Sequence, residues 1–298
     1  MFKYSYFILV NVGPDYGGEP LEQSVARLSK FGYDGVEFVG EPTKVDTREI
    51  RELLKKYQIK ASCVIPIYTA RRDLVSANES IRRGAINYVK DCIKMAQEIE
   101  APVVIVAPSA CMKVYPEVTP EQEWGWAVAG IGEAGEYAAS LGIKLALEAW
   151  NRYETYFLNR LDQALELVKA VNLNNVGIMA DLFHMNIEEA SMAKAITKAG
   201  NKLLHIHIAD SNRAAPGQGH TDFRPIVEAL KKINYEGYLT MELLPAAADP
   251  FAAMKVRKCE EFFDQYARES IEYMKKLEEA SYFTAGDEKS RKVSPKNR

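Results

Sequence analysis

Histidine and cysteine are scarce in this chain of 298 residues, four of each. The cysteines, Cys63, Cys92, Cys111 and Cys259, stand far apart and in no CxxC pair. That argues against a disulfide framework and reads as reduced, structural thiols of a cytoplasmic protein. Long apolar runs are missing too. The apolar opening, residues 6–12, is too short for a membrane span, and no small-residue cleavage site follows it; it reads as a first strand. Nor does either charge dominate: 38 basic against 41 acidic residues give a net charge of -3. Such a balance offers no general attraction to phosphate backbones or anionic lipid, so neither nucleic acid nor a membrane is expected as a partner.

The length allows one large core or two modest domains. Apolar runs of strand length alternate with helical patterns from end to end. The strand candidates are residues 6–10, 35–39, 61–66, 102–107, 143–148, 176–181, 203–209 and 237–242, rich in Val, Ile and Leu as in strands covered on both faces. The helix candidates are 22–31, 47–57, 78–99, 120–141, 159–171, 187–199 and 222–233, with a final helix over 254–280. Several carry end signals: Gly32 as a C-cap, Asp46-Thr47 and Asn78 as starts, and Thr119-Pro120. Repeated β/α units without a linker predict a single (β/α)8 TIM barrel over 1–280, rather than a doubly wound open sheet. Residues 281–298, polar and rich in Lys and Arg towards the end, predict a flexible tail.

Four of the later strand candidates end on a polar group: IKLALE on Glu148, VGIMAD on Asp181, LLHIHI beside His207 and YLTME on Glu242. In a barrel of this kind the catalytic groups sit at the carboxyl ends of strands, so neighbouring strands five to eight would aim these four at one centre. Three carboxylates and one imidazole suit Mn²⁺, Co²⁺ or Mg²⁺ in roughly octahedral geometry. The bland alternative makes some of the acids structural partners of arginines. His184, Arg213 and Glu154 stand in the loops just beyond, where function concentrates. His184 could instead be a helix-start residue, and Arg213 a solvated loop charge. His205 lies deeper on the same strand side as His207 and reads as a hydrogen-bonded core residue or as support rather than as a ligand. Glu37, in GVEFVG, reads either as support for the site or as the partner of an arginine. The glycines around His220 shape a turn, since no phosphate-binding glycine pattern is present. Tyr6, Tyr68, Tyr115, Trp150 and Leu244 are candidate pocket walls.

The separated stretches LALEAWNRYET, MADLFHMNIEE, HIHIADSNR, PGQGHTDF and YLTMELLP, over residues 145–245, resemble the ketose 3-epimerases of the D-tagatose and D-psicose group. These belong to the xylose isomerase-like barrels. The resemblance implies that Glu148, Asp181, His207 and Glu242 bind a divalent metal, Mn²⁺ foremost. It makes Glu148 and Glu242 the acid/base pair, and gives Glu154, His184 and Arg213, with Tyr6 as a wall, to the substrate. The implied reaction removes the C3 proton of a free ketose, forms a cis-enediolate and returns a proton to the other face. A cytoplasmic homodimer or homotetramer is implied too. Two residues depart from the group: Trp150 stands where a smaller aliphatic side chain is usual, and Leu244 where an aromatic one is frequent. An aldose–ketose isomerase or a keto-inositol dehydratase would share the same ligands. An abasic-site endonuclease would need more histidines than the chain has. A barrel that only binds should have lost a ligand or a base, and none is missing.

Overall fold

Along each strand of this chain alternate side chains point to opposite sides, and both sides are buried. The computed structural model describes residues 1–9, 19–245 and 260–291. Its strands are β1 (Lys3–Ile8), β2 (Gly35–Gly40), β3 (Lys60–Pro66), β4 (Val103–Val106), β5 (Lys144–Leu147), β6 (Val176–Asp181), β7 (Leu203–Ile208) and β8 (Tyr238–Met241). They pair in parallel in sequence order, and β8 returns to β1 through Lys3–Tyr238 to Tyr6–Met241, closing the barrel. An open sheet is thereby excluded. One set of side chains, among them Phe7, Leu9, Val39, Ile65, Ile105 and Met179, packs inside the barrel. Their neighbours, such as Val36, Phe38, Val104, Leu145, Ile178 and Ile206, pack outwards into the larger core shared with the helices. Burial on both faces is the reason these strands are almost continuously apolar.

The surrounding helices are α1 (Leu21–Phe31), α2 (Thr47–Tyr57), α3 (Glu79–Glu98), α4 (Pro120–Ser140), α5 (Leu161–Val171), α6 (Leu182–Glu188), α7 (Met192–Ala199), α8 (Arg224–Lys232) and α9 (Glu260–Arg291). Their ends follow local chemistry. Asp46 accepts the amides of Arg48 and Glu49, and Asn78 accepts that of Ser80. Thr119 and Gln122 form a reciprocal capping box with Pro120 behind it. Gly32 ends α1 in the left-handed conformation, φ 79°.

Two regions differ from the sequence pattern. The single helix expected over 187–199 is two helices. α6 starts directly at the end of β6, capped by Asp181, and α7 restarts at Ser191, whose hydroxyl accepts the Lys194 amide. The final helix runs on to Arg291, beyond the Ala280 where the apolar pattern stops. Its expected beginning, 254–259, and the end of the tail, 292–298, lie outside the described residues.

Candidate active site

The four strand-end groups arrive on the inner side of the barrel because each is in phase with an inward residue of its own strand. Glu148 follows Ala146, Asp181 follows Met179, His207 follows His205, and Glu242 follows Thr240. Pairing sets Asp181 beside His207 and His207 beside Thr240. All four are buried. Glu148, Asp181 and His207 each place one potential ligand atom within 4.8 Å of the others. Glu242 Oε2 lies 3.2 Å from His207 Nδ1.

Two of these atoms lack a hydrogen-bond partner: His207 Nδ1 and Asp181 Oδ2. Buried polar atoms are rarely left so. In both residues the other atom is used. Asp181 Oδ1 accepts the Phe183 amide at 2.8 Å, and His207 Nε2 meets Glu37 Oε1 at 2.8 Å. The capping and the pairing thus orient each side chain and leave the spare atom facing the cluster. This set of carboxylate oxygens and an imidazole nitrogen, two of them buried without a hydrogen bond, fits a divalent cation that prefers oxygen and imidazole ligands.

Glu37, fully buried, holds both barrel histidines: His205 Nε2 is 2.6 Å from its second oxygen. Burial works against the carboxylate, yet His207 and His205 hold it down at about 2. Burial likewise opposes a charged His207, but Glu37 and Glu242 hold that imidazole well above its usual range. Burial pushes Glu148 far up and brings Asp181 to about 6 against the pull of Arg213. For Glu242 burial is outweighed by Arg213 and His207, which keep it ionised. Crowded buried acids of this kind call for a countercharge. Glu37, Cys63 and His205 make a deeper grouping. Both Glu37 oxygens are occupied there, and burial drives the Cys63 thiol far up; we assign it no cation.

The rim is built by loops. His184, on the first turn of α6, brings Nε2 to 3.4 Å from Asp181 Oδ2. Asn151 Nδ2 lies 2.8 Å from both His184 Nδ1 and Glu154 Oε1, while Asn151 Oδ1 accepts the Tyr153 amide. The amide nitrogen is therefore the donor, His184 Nδ1 accepts, and the proton of the neutral ring sits on Nε2. Burial and then Arg213 depress this imidazole to about 3, so the ring is neutral. Arg213 reaches Glu242 Oε2 at 2.5 Å and Asp181 Oδ2 at 3.5 Å, with its guanidinium 4.6 Å over the Phe183 ring. Its backbone is left-handed, φ 61°, a strained state for arginine. Asp210 holds that loop in place. Its carboxylate accepts the amides of Ser211, Thr221 and Gly217.

A model of the xylose isomerase-like TIM barrel family matches residues 25–277. This chain belongs to that family. The L-ribulose 3-epimerase of Methylomonas sp. strain DH-1 is 29% identical over 229 residues, covering 76% of this chain and 80% of that protein. The D-psicose 3-epimerase of Enterocloster bolteae is 33% identical over 226 residues, covering 72% and 74%. Among solved structures, D-psicose 3-epimerase with D-tagatose from Clostridium cellulolyticum H10 superposes with a TM-score of 0.81. It is 26% identical and covers 93% of this chain and 99% of that one. The protein is an isomerase of the epimerase kind.

Within this family member the structure brings together Glu148, Asp181, His207, Glu242, Glu154, His184 and Arg213. It does not bring in Tyr6. That ring points outwards, edge-on to Tyr33 at 5.7 Å and beside Arg27 of α1, because β1 turns Phe7 and Leu9 inward instead. Tyr115 is largely exposed, whereas Leu244 packs against the interior cluster. Arg72 pairs with both oxygens of buried Glu41 and lies over Tyr88. The glycine-rich loop serves Asp210 rather than a phosphate. A side chain at Gly219 would collide with that carboxylate, and Gly217 adopts φ +91° against Tyr273. Sequence reasoning left Glu37 open between two roles and did not single out Asn151. An acid in the middle of an apolar strand was the available signal for Glu37.

Proposed function

We propose that this isomerase is a divalent-metal-dependent epimerase that inverts C3 of a free ketose of the D-tagatose, D-fructose, D-psicose or L-ribulose type. The observation that carries the reading is the convergence of Glu148, Asp181 and His207, with Glu242 beside His207 and with His207 Nδ1 and Asp181 Oδ2 buried without a hydrogen bond. Glu148, Asp181, His207 and Glu242 would hold the cation, Mn²⁺ foremost and Co²⁺ or Mg²⁺ next, which when bound supplies Lewis-acid stabilisation of charge on the substrate oxygens.

The chain's own groups account for the rest. Glu148 and Glu242 come from non-adjacent strands, so one can take the C3 proton while the other delivers one to the opposite face. Burial raises the Glu148 carboxyl well above the usual carboxylate range; Glu242, despite burial, is held low by Arg213 and His207. Two carboxyls pushed apart in this way are suited to acid and base roles. The Arg213 guanidinium and the His184 Nε2–H offer donors to the oxygen that gains charge in the cis-enediolate. Asn151 and Glu154 keep the His184 ring in the donating tautomer.

The cations of the strand-end loops are largely engaged: Arg72 with Glu41, Lys113 with Asp73, Arg152 with Glu188 and Arg213 with Glu242. This favours an unphosphorylated sugar. Among the described residues no helix is long and apolar enough to cross a membrane. We also propose a cytoplasmic homodimer or homotetramer, for which the exposed Met112, Val114, Tyr115 and Tyr153 offer apolar contact area; sedimentation velocity tests it.

The deciding experiment follows a ketose panel by proton NMR in D₂O, with Mn²⁺-loaded and chelator-stripped protein. Cation-dependent deuterium entry at C3 together with the C3 epimer supports the reading. Exchange at C1 with aldose formation would move the enzyme to the aldose–ketose isomerases. No exchange on any ketose would refute it and turn attention to keto-inositol dehydration.

A further inference from the structure

Trp150 lies two residues beyond Glu148, half-buried, on the loop that follows β5. Its indole meets Tyr68 edge-on at 6.3 Å and His184 at 6.5 Å, 45° between planes. Tyr68 follows β3 and His184 follows β6, so the indole stands between residues carried by two non-adjacent strands. Both neighbours are fixed. Tyr68 donates its hydroxyl to the Ile105 carbonyl at 3.2 Å, and His184 is held by Asn151. The backbone of Trp150 is pinned as well: its amide donates to Leu158 O, and its carbonyl accepts from Asn159 Nδ2 at 2.8 Å. Burial raises the Glu148 carboxyl, and hydrogen bonding from the Trp150 side chain is a lesser, opposing influence on it. An indole with a pinned backbone and two fixed rings beside it is held in place against a ligand.

We propose that Trp150 is a specificity-determining wall that closes the site beside His184 and limits the carbonyl end of the substrate to a group the size of hydroxymethyl. The inference rests on the ketose reading above, in which His184 and Arg213 face the carbonyl and its neighbouring hydroxyl. It names the substrate class further: 2-ketoses, with the short end of the chain under the indole, and not ketones within a ring that carry a glycosidic group on that side. The distinction matters because a 3-dehydro-D-guloside 4-epimerase of Escherichia coli K12 is 27% identical to this chain over 244 residues. Proton transfer beside a carbonyl is common to both classes; the space beside the carbonyl separates them.

The test compares wild type, Trp150→Phe and Trp150→Ala, each confirmed folded by circular dichroism. The probes are D-tagatose, D-fructose and L-ribulose on one side and a methyl 3-keto-hexoside on the other, followed by deuterium exchange. Phenylalanine keeps the wall and removes the N–H, so it should keep the wild-type preference while kcat falls. Alanine should shift the kcat/KM ratio towards the glycoside by on the order of tenfold or more, as expected when a pocket wall is removed. An unchanged ratio in the alanine variant, with wild type active on ketoses, overturns the wall. So does a phenylalanine variant that shifts the ratio as far as alanine does. Wild type without exchange on any ketose would instead overturn the functional reading, and the proposal with it.

Discussion

Replacing Glu37 with glutamine removes one charge and no volume, yet two imidazoles depend on that charge. The carboxylate accepts from His205 at 2.6 Å and from His207 at 2.8 Å. An amide offers one oxygen, and its nitrogen must face the other ring. If it faces His207, that ring must move its proton to Nδ1, the atom aimed at the ligand cluster, and cation binding is opposed directly. If it faces His205, the proton moves to His205 Nδ1, which is buried without a partner. An orphaned buried donor costs about 1–3 kcal/mol. Loss of such an outer partner typically weakens metal affinity about 10- to 100-fold, about 1.4 to 2.7 kcal/mol. We therefore expect Glu37→Gln to bind Mn²⁺ about 10- to 100-fold more weakly by isothermal titration of chelator-stripped protein. The urea stability of the stripped protein should also fall by about 1–3 kcal/mol. Binding within twofold of wild type, with an unchanged urea midpoint, would show that Glu37 does not orient His207.

Burial holds Asp181 up to about 6 and Glu148 well above the usual carboxylate range. A cation binds the deprotonated ligands, and His207 is also held well above its usual range by Glu37 and Glu242 against burial, so affinity should already decline as pH falls through neutrality, by about tenfold per pH unit for each proton released; titration in buffers of different ionisation enthalpy reads the slope and the protons released, and a flat profile from pH 8 to 5 would refute it. Tyr6→Phe should leave kcat/KM within about twofold, since the ring packs outside the barrel against Tyr33 and away from the site; a tenfold loss would place that ring at the substrate after all. Arg213→Gln should lower kcat by on the order of 10²–10³, the usual loss for one donor to a developing oxyanion, measured as the rate of C3 exchange. A loss confined to KM would assign Arg213 to ground-state binding instead.

The order of strands and helices was legible in the sequence because burial on both faces writes each strand as a short apolar run, and caps such as Asp46, Asn78 and Thr119 mark helix starts. The metal-ligand candidates could be read for the same reason: an acid or histidine closing an apolar run marks where a strand leaves the core. Side-chain direction was legible in principle, since alternation along β1 turns Phe7 inward and Tyr6 outward. The break between α6 and α7 was hidden, because Asp181 both ends a strand and caps a helix.

Tertiary structure alone decided how the loops meet. Nothing local links Glu37 to His205 and His207, or Asn151 to His184. Those bonds join residues far apart in sequence, and only closure of the barrel brings them within reach. The sequence by itself determined which chemistry the strand ends carry. The packing of the loops determined which atoms of those residues are spent on structure and which are left to act.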